Sequence, residues 1–373
     1  MVYTLLPPVM MLLGVISCNK KTGKIGRAVY CVLFTALITF IQAIRYDVGT
    51  DYKSYKRIFT QLIGQELGEF GKSRLEKGYT VMLNIFANDV GDFRVYFALS
   101  ALLFAGATGY WIYKYSSMPV VSCTAFVMYG MFFYSMNFLR QYTAAVVVLY
   151  SYEYIKKHDF LRFAAMVLFA SCFHWSALIM LPMYFILQIR IQPVVLAIYS
   201  LISVLLFMGS TGIIQQVIDL FDRTGIMTRN LRGLMTGQEI SYGVFPFYFI
   251  GYFILFILMV IFRKRAYEAD KTTIIYLSSM FFLVMFEFWG LKHAIVSRFG
   301  MFFVMPGVLG MLPETIKAAC GFTDDHFKQK KIMHVLVIAV FLAAASYFYG
   351  AFMVYRGNGC FPYQTWLPIF QYL

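Results

Sequence analysis

Ionisable and strongly polar side chains interrupt the apolar stretches of this sequence in four places. They are Arg45, Asp47 and Asp51; Asn137, Arg140 and Gln141; His174; and Glu287, Lys292, His293 and Arg298. Charged groups within apolar sequence are costly, which makes them candidates for function. A histidine can transfer a proton near neutral pH. The Asp47-x-x-x-Asp51 spacing would accept a magnesium ion, although a single pattern of this kind has low specificity.

Each of these places also has a purely structural interpretation. Arg140 could simply extend to the lipid headgroups, although its spacing from Asn137 and Gln141 puts all three on one helix face. An isolated histidine such as His174 is more often a hydrogen-bonded structural residue than a catalyst. Asp47 and Asp51 would equally suit the solvated start of a helix. Only a shared position on one side of a membrane favours a common site.

The composition of the chain requires such a membrane. The 373 residues are 60% hydrophobic, 19% aromatic and only 13% charged, with a mean hydropathy of +0.69. One water-soluble core cannot bury so much apolar surface, which excludes a soluble enzyme, a disordered chain and a disulfide-stapled domain. The six cysteines contain no C-x-x-C pair and are interpreted as small apolar residues. Nothing in the sequence indicates nucleic-acid binding.

The predicted fold class is an all-α polytopic membrane protein. Apolar segments long enough to cross ~30 Å of hydrocarbon predict about 12 transmembrane helices, within a range of about 10–14. The predicted spans are 2–18, 28–44, 93–113, 118–136, 142–155, 161–173, 175–189, 194–209, 243–262, 272–290, 295–312 and 333–350. Residues 1–373 are predicted to form a single transmembrane domain, because no repeat or linker divides them.

The basic residues orient these spans. The short connections carry 17 Lys and Arg, whereas the two long connections, 45–92 and 210–242, balance 10 basic residues with as many acids. Short basic loops stay in the cytoplasm, so both long loops are predicted to be extracytoplasmic, with some helical structure. The net charge of +14 follows from this topology and is compatible with an anionic substrate. All four polar places then face the outer side.

Three of these places carry a resemblance to a known family. Arg45-Tyr46-Asp47-Val48-Gly49-Thr50-Asp51-Tyr52, followed by Tyr55, resembles the R-x-x-V-G-T-D-Y-x-x-Y signature of the EpsG family. Asn137-Phe138-Leu139-Arg140-Gln141 is similar to its F-N-x-x-R-Q segment, with Met136 where phenylalanine is usual. The stretch from Phe173 to Leu178 is similar to its F-H-x-S-A-L segment. The matches around Arg298 and Cys360 are looser.

The EpsG family comprises Wzy-like polymerases of bacterial exopolysaccharide, capsule and O-antigen. The resemblance implies a GT-C-type glycosyltransferase of the bacterial cytoplasmic (inner) membrane, with its active site facing the periplasm or cell exterior. It implies transfer of a growing glycan from undecaprenyl pyrophosphate onto a lipid-linked oligosaccharide repeat unit. The implied partners are that oligosaccharide lipid, the bilayer and a chain-length regulator.

That reaction assigns roles to the polar residues. Arginines suit the diphosphate leaving group because the guanidinium fork binds two oxygens and keeps its charge; the candidates are Arg45, Arg140 and Arg298. A base must accept the proton of the acceptor hydroxyl; the candidates, in order, are Asp51, His174 and Asp47. The residues expected to orient sugar hydroxyls or an arginine are Asn137, Gln141 and Tyr52. No metal or cofactor is required, although Mg²⁺ at Asp47 and Asp51 stays an open alternative.

Other functions stay open on the sequence alone. A flippase or exporter of the same lipid-linked glycan also needs cations, but its polar groups should lie at the bilayer midplane and in both leaflets. An O-antigen-type glycan ligase would share the arginines and the base. A multi-span acyltransferase is favoured only by His174.

Overall fold

A computed structural model describes residues 2–18, 21–66, 76–223, 245–320, 345–346, 349–350 and 359–367. The helices are α1 (Val2–Ser17), α2 (Gly23–Ala43), α3 (Tyr52–Leu62), α4 (Lys77–Ile85), α5 (Phe93–Tyr115), α6 (Pro119–Met128), α7 (Met131–Asn137), α8 (Leu139–Lys156), α9 (Phe160–Ser171), α10 (Met180–Ile186), α11 (Pro193–Arg223), α12 (Phe245–Ala269), α13 (Thr273–Gly290), α14 (Ala294–Ser297), α15 (Met301–Val304) and α16 (Met311–Cys320). No strand occurs within these described ranges, which confirms the all-helical prediction there.

The number of spans is smaller than predicted. Within the described part of the chain, six helices are long and apolar enough to cross a membrane: Gly23–Ala43, Phe93–Tyr115, Pro193–Ser210, Phe247–Ala269, Thr273–Gly290 and Ile295–Cys320. A bent pair, α6 and α7, makes seven if it is one span. A polytopic helical membrane protein is thus supported, but about 12 spans are not. The predicted span 333–350 lies almost entirely outside the described residues.

The discrepancy has identifiable causes. The predicted span 118–136 is broken at Gly130, whose φ of 81° ends α6 and bends the chain by 55°. The predicted spans 2–18, 161–173 and 175–189 are helical but too short to meet the length criterion for a span. Hydropathy windows detect apolar residues and do not detect where the backbone ends a helix.

The predicted outer loop 45–92 contains helices, as expected, in the residues that the structure describes. Helix α3 buries one face, Tyr52, Tyr55, Phe59 and Leu62. The ring of Phe59 lies 5.3 Å from that of Phe93 at the start of α5. Aromatic pairs at this spacing stabilise the packing beyond simple burial. In the second predicted loop, 210–242, α11 continues to Arg223, and residues 224–242 lie outside the described ranges.

Hydrogen bonds at the two ends of α8, one of them to α13, define two ends of the bundle. At the end we call the site end, Gln141 Nε2 donates to the backbone oxygen of Arg298 at 2.5 Å. At the opposite end, Lys156 Nζ donates to the Tyr276 hydroxyl at 2.7 Å. Each helix has 18 residues, or about 27 Å at ~1.5 Å per residue. The two ends are therefore about one hydrocarbon thickness apart.

A short C-terminal segment, residues 359–367, lies against the chain that follows α2. Arg45 and Thr365 form an antiparallel bridge. The amide of Tyr46 donates to Gln364 O at 2.8 Å, and that of Gly49 donates to Gly359 O at 3.0 Å. Backbone groups between α2 and α3 are thus paired with residues more than 300 positions away in sequence.

Candidate functional site

At the site end, the carboxylate of Glu76 lies between an arginine and a histidine. Arg140 Nη1 donates to Glu76 Oε2 at 2.6 Å, and His174 Nδ1 lies 2.7 Å from Oε1. The Glu76 side chain is only 12% exposed, against 29% for Arg140 and 18% for His174. Three distant segments of the chain therefore meet at one partly buried carboxylate.

The ionisation of Glu76 fixes the state of His174. Burial alone would raise the pKa of Glu76, but the hydrogen bond from His174 and the charge of Arg140 outweigh it and hold the pKa at about 2. An ionised carboxylate only accepts hydrogen bonds, so Nδ1 of His174 must carry the proton. The other ring nitrogen, Nε2, is then an acceptor whenever the imidazole is neutral.

Close packing between α4 and the end of α9 brings Glu76 to His174. Glu76 immediately precedes α4, and the amide of Tyr79 donates to Cys172 O at 3.3 Å. A Cβ at Gly78 would come within 2.8 Å of that same carbonyl oxygen. Glycine therefore permits the close approach of the two backbones, and with it the contact between Glu76 and His174.

Asp51, Tyr55 and Arg298 lie around this arrangement. Burial raises the pKa of the Asp51 carboxyl, while the charges of Arg298 and Arg140 and a hydrogen bond from Thr50 oppose that shift. The Tyr55 hydroxyl lies against the Arg140 guanidinium. Arg298 is exposed, with its guanidinium 5.3 Å from the Phe138 ring centroid. The site cluster, as we name it, consists of Asp51, Tyr55, Glu76, Arg140, His174 and Arg298.

Three predicted site residues have other surroundings. Arg45 is 3% exposed, donates from Nη1 to Met136 O at 2.7 Å, and places its guanidinium 4.3 Å from the Phe97 ring centroid. Its neighbour Tyr52 is buried beside that same ring, with the ring centroids 5.0 Å apart. Asp47 pairs with the exposed Lys53 at 3.0 Å. Arg45 and Asp47 therefore have local partners, and neither contacts the Glu76 carboxylate.

The two predicted amides bind protein groups. Asn137 is fully buried; its Nδ2 donates to Phe133 O at 3.1 Å and to Cys360 Sγ at 3.2 Å, while its Oδ1 accepts from Thr50 at 3.2 Å. Asn137 thus joins α7, the loop before α3 and the C-terminal segment. Gln141 holds the backbone of Arg298, as described above. Both amides position the segments that carry the site cluster.

Gly49 shows how tightly this junction is built. Its φ of +104° suits glycine, and a Cβ there would lie 2.7 Å from Asn137 Oδ1. We expect Gly49→Ala to lower the free energy of unfolding by about 1–3 kcal/mol or more, because strained backbone and steric overlap act together. The control is Gly64→Ala, since Gly64 has φ +78° but open space around it. Equal losses of thermal stability in the two variants would show that the Asn137 contact adds nothing.

Sequence reasoning missed Glu76. It lies in a loop rich in charges of both signs, so its residue type was not unusual there. One signal was available: an acid in a loop predicted to contain helical structure, in a chain whose three candidate arginines needed a counter-charge. Among the residues that the structure describes, no three His, Cys, Asp or Glu side chains are grouped as a metal site would require.

The fold and the site define the class of protein: a polytopic helical membrane protein with a carboxylate, a histidine and two arginines clustered at one end of its helices. The EpsG family model matches residues 28–365, so the chain belongs to the EpsG family. The resemblance that the sequence motifs suggested is thereby confirmed. No curated protein and no solved structure shows significant similarity to the chain.

Proposed function

We propose that this protein polymerises a bacterial surface polysaccharide. It transfers a growing glycan from undecaprenyl pyrophosphate to a hydroxyl of another lipid-linked repeat unit. Membership of the EpsG family supports the polysaccharide substrate. The observation that carries the proposal is the Glu76 carboxylate held between Arg140 and His174, with Arg298 and Asp51 beside it. This arrangement supplies both the cations and the base that the reaction needs.

The diphosphate leaving group gains negative charge as the sugar departs. Arg298 is exposed and forms no ion pair among the described residues, although Asp51 lies near it, so its charge is available to a substrate. Arg140 is held through Nη1 by Glu76, which orients the guanidinium plane. Preorganised cations stabilise a developing anion more effectively than water, which must reorient. We assign the diphosphate to Arg298 and Arg140, and we assign Arg45 to holding the loop before α3.

His174 is the base in this proposal. Glu76 fixes its tautomer and leaves Nε2 as an acceptor for the proton of the attacking hydroxyl. Nucleophile oxygen and sugar carbon form the new bond, the sugar–diphosphate bond breaks, and the proton goes to Nε2. Asp51 was the first candidate for the base in the sequence analysis. In this proposal it instead orients the acceptor sugar. Asp47 has no catalytic role in this assignment.

Replacing Asp51 by asparagine tests whether His174 or Asp51 is the base. We expect a loss of about tenfold in turnover, since one hydrogen bond to a sugar hydroxyl is weakened while the base remains. Initial rates of glycan extension would measure it, with Asp89→Asn in the same loop as the matched change of charge. If Asp51→Asn abolishes extension while His174→Ala retains it, Asp51 is the base.

The topology that fits this reaction places the site end on the extracytoplasmic side. Basic residues concentrate in the connections at the opposite end, as cytoplasmic loops do. Helix α8 is not among the six long apolar helices, yet it matches α13 in length, and its two ends are hydrogen-bonded to Arg298 and to Tyr276. We propose that α8 and the shorter helices also cross the bilayer, which raises the count towards about 12. The single-domain organisation and the GT-C type remain part of this proposal.

The decisive experiment uses the purified protein in liposomes with lipid-linked repeat units. A ladder of longer lipid-linked glycans on a gel is the expected result. Movement of the substrate between leaflets without extension would indicate a flippase or exporter. Transfer to a different acceptor without extension would indicate a ligase. Protein heated beyond unfolding before reconstitution controls for spontaneous reaction.

A further inference from the structure

A second polar site lies at the opposite end of the bundle. A cavity of about 220 Å³ opens where the chain before α11 meets the end of α12 and the start of α13. Its polar lining consists of Arg190, Gln192, Arg263, Lys264, Tyr267 and Thr273. Thr273 begins α13 and Arg298 follows its other end, so about 27 Å of helix separates this cavity from the site cluster.

The cavity gathers three cations without a carboxylate. The Arg190 guanidinium is stacked 4.0 Å from the Tyr267 ring centroid, and Arg263 Nη1 donates to Val260 O at 2.6 Å. In the part of the chain that the structure describes, no ion pair involves Arg190, Arg263 or Lys264. Like charges that line one cavity repel one another, and a bound anion relieves that repulsion.

The acidic groups nearby do not neutralise these cations. Asp270 accepts from the amide and the hydroxyl of Thr272, both at 2.8 Å, at the start of α13. Neither Asp270 nor the exposed Glu268 lines the cavity. The positive charge of the lining is therefore unopposed, which predicts an anionic ligand.

The rest of the lining indicates what the anion is attached to. Ile274, Leu277 and Met311 form the apolar wall of the cavity. Beside it, the first turns of α11 expose apolar side chains outwards, with Val194 68% and Leu201 61% exposed. In a bilayer that surface faces acyl chains. A ligand with a charged head and an apolar tail binds both the cationic cavity and the apolar surface beside it. A free anion binds only the cationic cavity.

We propose that this cavity binds the phosphate headgroup of an anionic lipid. Basic pockets between transmembrane helices are suited to such headgroups, and each cation near the surface contributes to attraction. Under the topology proposed above, the cavity faces the cytoplasmic leaflet. The proposal needs no glycan chemistry, so it stands or falls independently of the polymerase function.

The test compares lipid binding by two triple variants of the full chain. Arg190→Gln/Arg263→Gln/Lys264→Gln removes the cations of the cavity. Lys24→Gln/Lys157→Gln/Lys271→Gln removes as many exposed charges at the same end of the bundle, outside the cavity. Phosphatidylglycerol is titrated into the detergent-solubilised proteins, with phosphatidylcholine as the neutral lipid, and binding is followed by native mass spectrometry.

We expect the cavity variant to lose roughly 100-fold in affinity for phosphatidylglycerol, and the control variant less than about threefold. Equal losses would overturn the proposal, because they would reflect surface charge alone. Inorganic phosphate that competes as well as the lipid would also overturn it, in favour of a soluble anion. Arg190→Lys/Arg263→Lys should retain binding, which separates lost charge from a failure to fold.

Discussion

Replacing Glu76 by glutamine is expected to reduce the turnover of glycan extension by roughly 10³-fold. The carboxylate accepts a hydrogen bond from Nδ1 of His174 and so leaves Nε2 free to accept a proton. A glutamine amide can instead donate to Nδ1, which shifts the proton of the neutral ring to Nε2. It also removes the charge that holds Arg140. Single-turnover extension of a labelled lipid-linked glycan would measure the loss.

Two controls separate this effect from damage to the fold. Glu66→Gln makes the same chemical change at an exposed position of the same loop, and we expect normal extension there. Glu76→Asp keeps the acceptor character, so part of the activity should return. If Glu76→Gln binds the lipid-linked donor normally and extends it at the wild-type rate, Glu76 does not orient the base, and the assignment of His174 fails with it.

The site shows which residues a single sequence can locate. Arg140 and His174 were found because they are polar residues within apolar sequence, where chance seldom places them. Glu76 was missed because its surroundings are already charged, so the cost of placing an acid there is small. Its importance arises only when α4 packs against the end of α9, and that contact joins residues about 100 positions apart.

Arg45 is the opposite case, a residue that the sequence singled out for the site and that the structure surrounds with structural partners. The sequence placed it beside two aspartates and predicted a diphosphate ligand. The structure covers it with the segment around Thr365 and gives it a backbone carbonyl and an aromatic ring. Pairing across more than 300 residues leaves no trace in local spacing or hydropathy. The helical class of the fold was predictable from composition, whereas the count of spans was not. Gly130 ends a helix inside one apolar stretch, and three other apolar stretches form helices shorter than a span.

Replacing Arg140 by lysine is expected to lower kcat by about 10²–10³-fold while the affinity for the lipid-linked donor changes less than about tenfold. The guanidinium binds Glu76 through Nη1 and lies against the Tyr55 hydroxyl, and we assign its other N–H groups to the diphosphate oxygens. Lysine carries its three N–H donors on one nitrogen and lacks the planar fork that binds Glu76 on one edge and phosphate oxygens on another. The loss should therefore appear in the transition state, where the leaving group carries most charge, rather than in donor binding.

Arg57→Lys is the matched control, because Arg57 is exposed on α3 and makes the same exchange of cation. If Arg140 only extends to lipid headgroups, lysine should serve equally well and both variants should extend glycan at the wild-type rate. A fall in donor affinity as large as the fall in kcat would instead mean that Arg140 holds the ground state. Initial rates at saturating donor, together with a thermal-shift titration of that donor, distinguish the three outcomes. Only a fall in kcat without a matching fall in donor affinity requires the fork of Arg140 to act on the departing diphosphate while Glu76 holds its other edge.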